Sequence, residues 1–289
     1  SPETPAYLII GPYGHFGTQK GGETVLYGYK VDSVALFDIT AITYQWFDYI
    51  LKNGPKPAVL KDKINYEVMG ANEWRSAPSI DKMNNDILTL YLTTSKSGNF
   101  YKATSNKPAK DDFLSQEVDF ADRETSNNDY YPDPIVRKDI DTANGYYFIS
   151  DPFEEPVIVN GSFSGEIIAA INKKDMDIGV TLYEVMPDGE YFHLSYFIGR
   201  ASYARDDTQR VLLTPGVRDT IPFSNTHLVS KQLSKGSRLL ICLNVNKNPF
   251  SELNYGTGKT VTRETIKDAS QPLKVKWYNG SFVKIPILK

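Results

Sequence analysis

One cysteine, three histidines and no surplus of positive charge are the scarcities that matter in this 289-residue chain. With Cys242 alone, no disulfide can form within the chain. Its setting, Leu239-Leu240-Ile241-Cys242-Leu243, predicts a small residue in a strand rather than a nucleophile. His15, His193 and His227 have no metal-ligand spacing, so no metal site and no cofactor is expected. Lys and Arg number 32 against 35 Asp and Glu, a net charge of −3. That excludes nucleic acid and an anionic membrane as main partners, because phosphate binding needs a cationic excess. No apolar run approaches the roughly 20 residues that cross a bilayer. No signal-peptide pattern opens the chain, and residue 1 is not Met, so a processed or engineered piece is expected. Asp139-Ile-Asp141-Thr-Ala-Asn144-Gly145 approaches a calcium loop. Ala143 stands where an oxygen ligand is required and Ser150 where the closing Glu belongs, so a polar turn is expected.

What the chain does have begins at its N-terminal end. Tyr7-Leu8-Ile9-Ile10 predicts a strand over residues 6–10, followed by a Gly-rich loop to Gly28. Ala35, Ile39, Ile42, Trp46, Tyr49 and Ile50 recur at three- and four-residue spacing, which predicts a helix over 33–52 with these residues on one face. Asp32 or Ser33 is the expected cap, Lys52 suits the negative end of the helix dipole, and Gly54-Pro55 is the expected stop. This opening looks α/β.

Past residue 60 the period changes to two. Leu88, Leu90 and Leu92 alternate, as do Ile178, Val180 and Leu182, then Phe192, Leu194, Tyr196 and Ile198. Leu239, Ile241, Leu243 and Val245 continue the pattern, and Leu273, Val275 and Trp277 close it. Turns such as Pro187-Asp188-Gly189 and Lys235-Gly236 separate the runs. One-face alternation over many short strands predicts an antiparallel sandwich, with Leu88, Leu90, Val180, Leu182, Ile241 and Leu243 facing its core. The polar stretch 102–145 reads as long connections.

His15 is the residue with chemical promise. In α/β-hydrolases the triad runs nucleophile, acid, histidine, and the histidine lies beyond a late strand and before a final helix. Strand, Gly11-Pro12-Tyr13-Gly14-His15, helix is that arrangement. An imidazole there takes the serine proton during attack and returns it to the leaving group. "LIIGPYGH" resembles the histidine motif of the family that holds bacterial cocaine esterase, X-prolyl dipeptidyl-peptidases, α-amino acid ester hydrolases and glutaryl cephalosporin acylases. "WFDYILKNG" resembles the last hydrolase helix of that family, and "VMGANEWR" the start of its C-terminal β domain. "DPFEEPVIVNGSFSGEI", "DMDIGVTLYEVMPDG", "GRASYA" and "KGSRLLI" resemble successive stretches of that domain. The resemblance implies a mainly β chain: a remnant of an α/β-hydrolase domain over 1–60, then a jelly-roll β-sandwich over 61–289. It implies a serine hydrolase of acyl esters or amides acting on a small-molecule or short-peptide substrate, with His15 catalytic. Tyr13 and Trp74 would wall the pocket. The compartment stays open between bacterial cytoplasm and periplasm.

The nucleophile and the acid of such a triad are missing. "GSFSG" (161–165) puts Phe163 where the serine would stand. Glu3 is the only carboxylate before His15, and it lies at the wrong end of the first strand, about 16 Å away at roughly 3.3 Å per residue. The chain is therefore expected to be the C-terminal piece of a longer enzyme, inactive alone. "YGTGKT" (255–260) lacks the first glycine of a phosphate loop, and His193 and His227 read as cross-strand or surface residues. The apolar face of the 33–52 helix needs a cover over Ile39, Ile42 and Trp46. A second copy of the chain, the sandwich or the N-terminal segment would serve. The competing class is a β-sandwich module that binds carbohydrate or a partner protein without catalysis.

Overall fold

A computed structural model of the chain describes residues 6–125, 127, 132–143, 145–248 and 250–289. Glu3 and Asn144 lie outside the described residues.

The alternating runs form strands of a fourteen-stranded sheet. At one end of its path lie Phe113–Val118 and Leu273–Tyr278; toward the other lie Arg238–Val245, Asp177–Val185 and Tyr191–Arg200. Val275 and Trp277 from the first end share one hydrophobic core with Val180, Leu182, Ile241 and Leu243 from the second. The sheet therefore folds over on itself into a β-sandwich. Leu90 belongs to this core and Leu88 packs against it. Nearly all the ladder pairings are antiparallel.

One alternation breaks in the middle. Tyr183 pairs with His193 and Leu182 with Ser195, so Leu194 is an extra residue in its strand. A bulge of this kind moves every later side chain to the opposite face. Phe192 is buried before it; after it Ser195 is buried and Phe197 packs on the core, while Ile198 turns to solvent. The expected one-face row of Phe192, Leu194, Tyr196 and Ile198 is thus broken after Leu194. The 102–145 stretch is also richer than expected: Phe113–Val118 pairs along its whole length with Leu273–Tyr278. Within this stretch Asp141 accepts the Ala143 N–H, as a polar turn should.

The N-terminal segment is stitched to the sandwich by a small three-stranded sheet. The strand Leu8–Ile10 pairs in parallel with Ile64–Val68, which pairs antiparallel with Glu73–Ala77. A parallel pair requires a long crossover, and residues 11–63 provide it. The helix in that crossover is shorter than the sequence predicts. It runs Ile39–Lys52, and Ser33–Ala35 is a separate 3-10 turn. The cap is Asp38, whose carboxylate accepts the Ala41 N–H at 3.0 Å, rather than Asp32 or Ser33. The helix ends at Lys52 as expected, with Asn53 rather than Gly54 in the left-handed conformation and the Gly54 N–H returning to the Asp48 carbonyl at 3.0 Å.

The helix buries no residue fully. Ile39, Ile42 and Trp46 are half-buried, and Trp46 meets the Tyr7 ring edge-on at 5.4 Å. Tyr44 is 68% exposed and Leu51 72%. No described helix is long and apolar enough to cross a membrane.

Candidate functional site

The loop after the first strand is shaped around Tyr13. A Cβ on Gly11 would fall 2.5 Å from the Tyr13 ring, and one on Gly17 would fall 2.7 Å from Tyr13 Cβ. These glycines let the backbone close on both sides of the tyrosine. The phenol then reaches across and donates to the Ala35 carbonyl at 3.0 Å. Burial, with the nearby Glu67 carboxyl, pushes its ionisation far above the usual range for a phenol.

Trp74 arrives from the other side. Its indole N–H donates to the Val34 carbonyl at 2.7 Å, one residue from the Tyr13 contact. The Phe37 ring lies between the two aromatics, 6.1 Å from Tyr13 and 5.4 Å from Trp74. The structure thus brings Tyr13 and Trp74 to one place. Their polar ends are spent on backbone carbonyls, and the remaining apolar surface packs on Phe37.

His15 stands two residues beyond Tyr13. It is exposed, and its ring touches Phe16 at 4.7 Å. Among the described residues no hydroxyl, thiol or carboxylate is hydrogen-bonded to it. The imidazole has the access a proton shuttle requires. Among the described residues it has no group to shuttle for and none to fix its tautomer.

Beneath the loop the 29–37 segment is tied to the 64–77 hairpin. Asp32 accepts the Gly70 N–H at 2.6 Å. The Asn72 side-chain oxygen accepts from Val34 N–H and Ser33 Oγ, each at 3.1 Å. Glu67 projects into the same place from the middle strand, opposite Trp74, and is only 2% exposed. Desolvation, together with the adjacent Asp32 carboxyl, pushes its pKa up to about 9. Sequence reasoning passed over Glu67 and Asn72. The available signal was a carboxylate inside Asn65-Tyr66-Glu67-Val68, a run that is otherwise buried on both faces.

The other sequence candidates resolve as structural. Phe163, at the nucleophile position of "GSFSG", is buried in the main core. His193 faces Tyr183 across the strand pair, with ring centroids 5.3 Å apart, and His227 is exposed beside Tyr196. The "YGTGKT" loop curls around a carboxylate of its own chain. Tyr255 N–H and Thr257 N–H donate to Glu264 at 2.7 and 2.9 Å, and the Thr257 hydroxyl donates as well. Gly256 and Gly258 adopt the left-handed conformations this curl requires. Cys242 is buried, and burial pushes its thiol up to about 12. No cluster of three metal-ligating side chains exists among the described residues.

Comparison with known proteins adds a family and a fold. The model of the X-Pro dipeptidyl-peptidase C-terminal non-catalytic domain matches residues 59–275. The chain resembles the crystal structure of an aminopeptidase from a marine sediment Thaumarchaeota archaeon, with TM-score 0.77 and 18% identity over 98% of this chain and 49% of that one. It resembles an α-amino acid ester hydrolase with TM-score 0.75 and 18% identity, over 97% of this chain and 50% of that one. A CocE/NonD family hydrolase from Staphylococcus aureus follows at TM-score 0.61 and 14% identity, over 87% and 46%. Likeness at such identities is likeness of fold. The chain spans about half the length of these structures. Nothing among curated proteins matches it in sequence.

Proposed function

This chain belongs to the X-Pro dipeptidyl-peptidase C-terminal non-catalytic domain family, and on that premise we propose that it is the C-terminal part of a serine hydrolase of acyl esters or amides, with His15 as its general base and acid. The observation that carries the reading is the position of His15. It is exposed on a loop directly after a strand in parallel pairing, and no described residue is hydrogen-bonded to the imidazole. The match to 59–275 begins beyond His15, so the histidine belongs to the segment we assign as hydrolase remnant, residues 1–60. Residues 61–289 would be the sandwich, of jelly-roll type. The half that brings serine and acid would rest on the open face of the 39–52 helix, where Tyr44, Phe47 and Leu51 stand in water. A second copy of this chain is the other occupant that face admits.

Tyr13 and Trp74 would support the pocket from behind, through Phe37, rather than line it with free polar groups. The substrate would be an X-Pro peptide, an α-amino ester, a β-lactam side chain or a simple ester. The non-catalytic alternative draws its support from the family description itself, which covers three-quarters of the chain and leaves His15 out.

A nitrophenyl ester assay separates the two. The 289-residue chain alone should release nitrophenol no faster than buffer. Joined to a hydrolase half that carries the nucleophile and acid, it should turn over, and His15→Ala should lower kcat on the order of a million-fold. Turnover indifferent to His15→Ala, or esterase activity of the lone chain that survives it, would overturn the assignment.

A further inference from the structure

We propose that Glu67 and Asp32 hold one proton between them, forming a clasp that keeps the 29–37 segment on the 64–68 strand and opens in alkaline solution. The inference is independent of the acyl-transfer reading. Both Glu67 oxygens are buried, and no N–H or O–H among the described residues donates to either. The Asp32 carboxyl, held beside this strand end by the Gly70 N–H, is the carboxyl that interacts with them. Two carboxylates offer only acceptors to each other, so their contact requires a proton on one of them. Asp32 already accepts the Gly70 N–H at 2.6 Å, whereas no donor among the described residues meets either Glu67 oxygen. The proton therefore resides on Glu67, and Glu67 donates to Asp32.

Surrounding charges do not replace that proton. The strand Leu8–Ile10 carries no titratable residue. The loop after it brings Tyr13, and the strand Tyr29–Lys30 brings Tyr29 against the pair; both phenols are held neutral by burial and by these carboxyls. Lys30 is exposed to solvent. On the strand Glu73–Ala77, Arg75 is committed to Glu73 at 2.6 Å. On the strand Val229–Leu233, bridged to the hairpin through Met69, Lys231 is committed to Glu184 at 2.7 Å. Lys61, Asp62 and Lys63 lead into the far end of the strand, where Asn65 collects the backbone N–H groups of Lys61 and Asp62. When Glu67 loses its proton, its buried carboxylate faces the partly buried Asp32 carboxylate, and among the described residues no cation is paired with Glu67. The segment that carries Asp32 then loosens against its other ties, which are two hydrogen bonds to Asn72, one each with Trp74 and Tyr13, and the packing of Tyr29 on Phe192 and of Phe37 on Trp74.

The sign follows from the proton count. The folded chain keeps the Glu67 proton up to about pH 9, whereas the unfolded chain gives it up near the ordinary glutamate value of 4.5. This pair's contribution to stability is greatest below the ordinary glutamate range and is lost as pH rises toward 9. In the 289-residue chain labelled with carboxyl-13C glutamate, one resonance should titrate near pH 9 and vanish in Glu67→Gln. The Trp74 indole 15N–H signal, which reports the bond to Val34, should move with the same midpoint in the wild type. In Glu67→Gln, whose amide donates to Asp32 at any pH, it should stay still. If Glu67→Gln does not fold, Asp32→Asn decides: with a donor in place of the second anion, the Glu67 midpoint should fall by roughly one pH unit or more. A Glu67 carboxyl titrating in the ordinary range overturns the proposal. So does an indole signal that moves identically in Glu67→Gln, or a midpoint indifferent to Asp32→Asn.

Discussion

In the strand Arg238–Val245, seven of the eight residues are buried, and Leu239, Ile241, Leu243 and Val245 all meet one core. In the helix Ile39–Lys52 none is. Both elements are announced in the sequence by clean periodicity, at two and at three to four residues. Periodicity specifies the shape an element takes and which side chains share a face. It does not specify whether the chain also supplies something for that face to meet. The sandwich closes on itself because its sheet turns back and each apolar row finds another. The helix has a cap, a left-handed stop and a Lys52–Asp48 ion pair at 2.7 Å, the local features that make a helix, and little against which to pack it.

The sharpest way to break this contrast is at the buried ion pair beside the hairpin. Lys231→Ala leaves Glu184 charged and enclosed, and should cost about 3–5 kcal/mol in urea unfolding. Ile241→Ala opens a cavity in the main core and should cost about 2–5 kcal/mol. Cys242 is the probe for both, because its thiol should resist alkylation at pH 8 until the sandwich opens. In the fast-closing regime, its labelling rate should rise about tenfold for every 1.4 kcal/mol lost.

Smaller effects belong to the joint between the regions. Trp74→Phe and Tyr13→Phe each remove one donor to the 34–35 backbone and should cost about 1 kcal/mol in the same urea titration. Asp38→Ala removes the helix cap and should cost on the order of 1 kcal/mol, read as lost protection of the 39–52 amides. Leu51→Ser should change stability by no more than about 0.5 kcal/mol. A large loss at Leu51 would mean that the helix face is covered in solution.

How much of this was legible depends on whether the cause is local. The inward rows at Leu90, Val180, Leu182, Ile241 and Leu243 were legible because each strand states its own alternation. The flip after Leu194 was not, because an extra residue becomes visible only against the partner strand. The helix start was misplaced by six residues because Asp32 and Asp38 are equally good caps in sequence, and Asp32 is taken by Gly70 from a distant turn. His15 was legible as an exposed histidine after a strand. Glu67 was not, since its partner Asp32 is brought to it by the parallel pairing of the first strand, a contact across more than fifty residues.

The glycine-rich curl at 255–260 has a consequence for any search for anion sites on this protein. A loop of inward N–H groups is an anion receptor, and here the receptor and its guest are one covalent molecule. Glu264 is a tethered ligand whose effective concentration is set by a few residues of intervening chain. A free phosphate arriving from solution competes with that local concentration and with a guest that pays almost no entropy to stay. The loop is a lock with its key cast into the door.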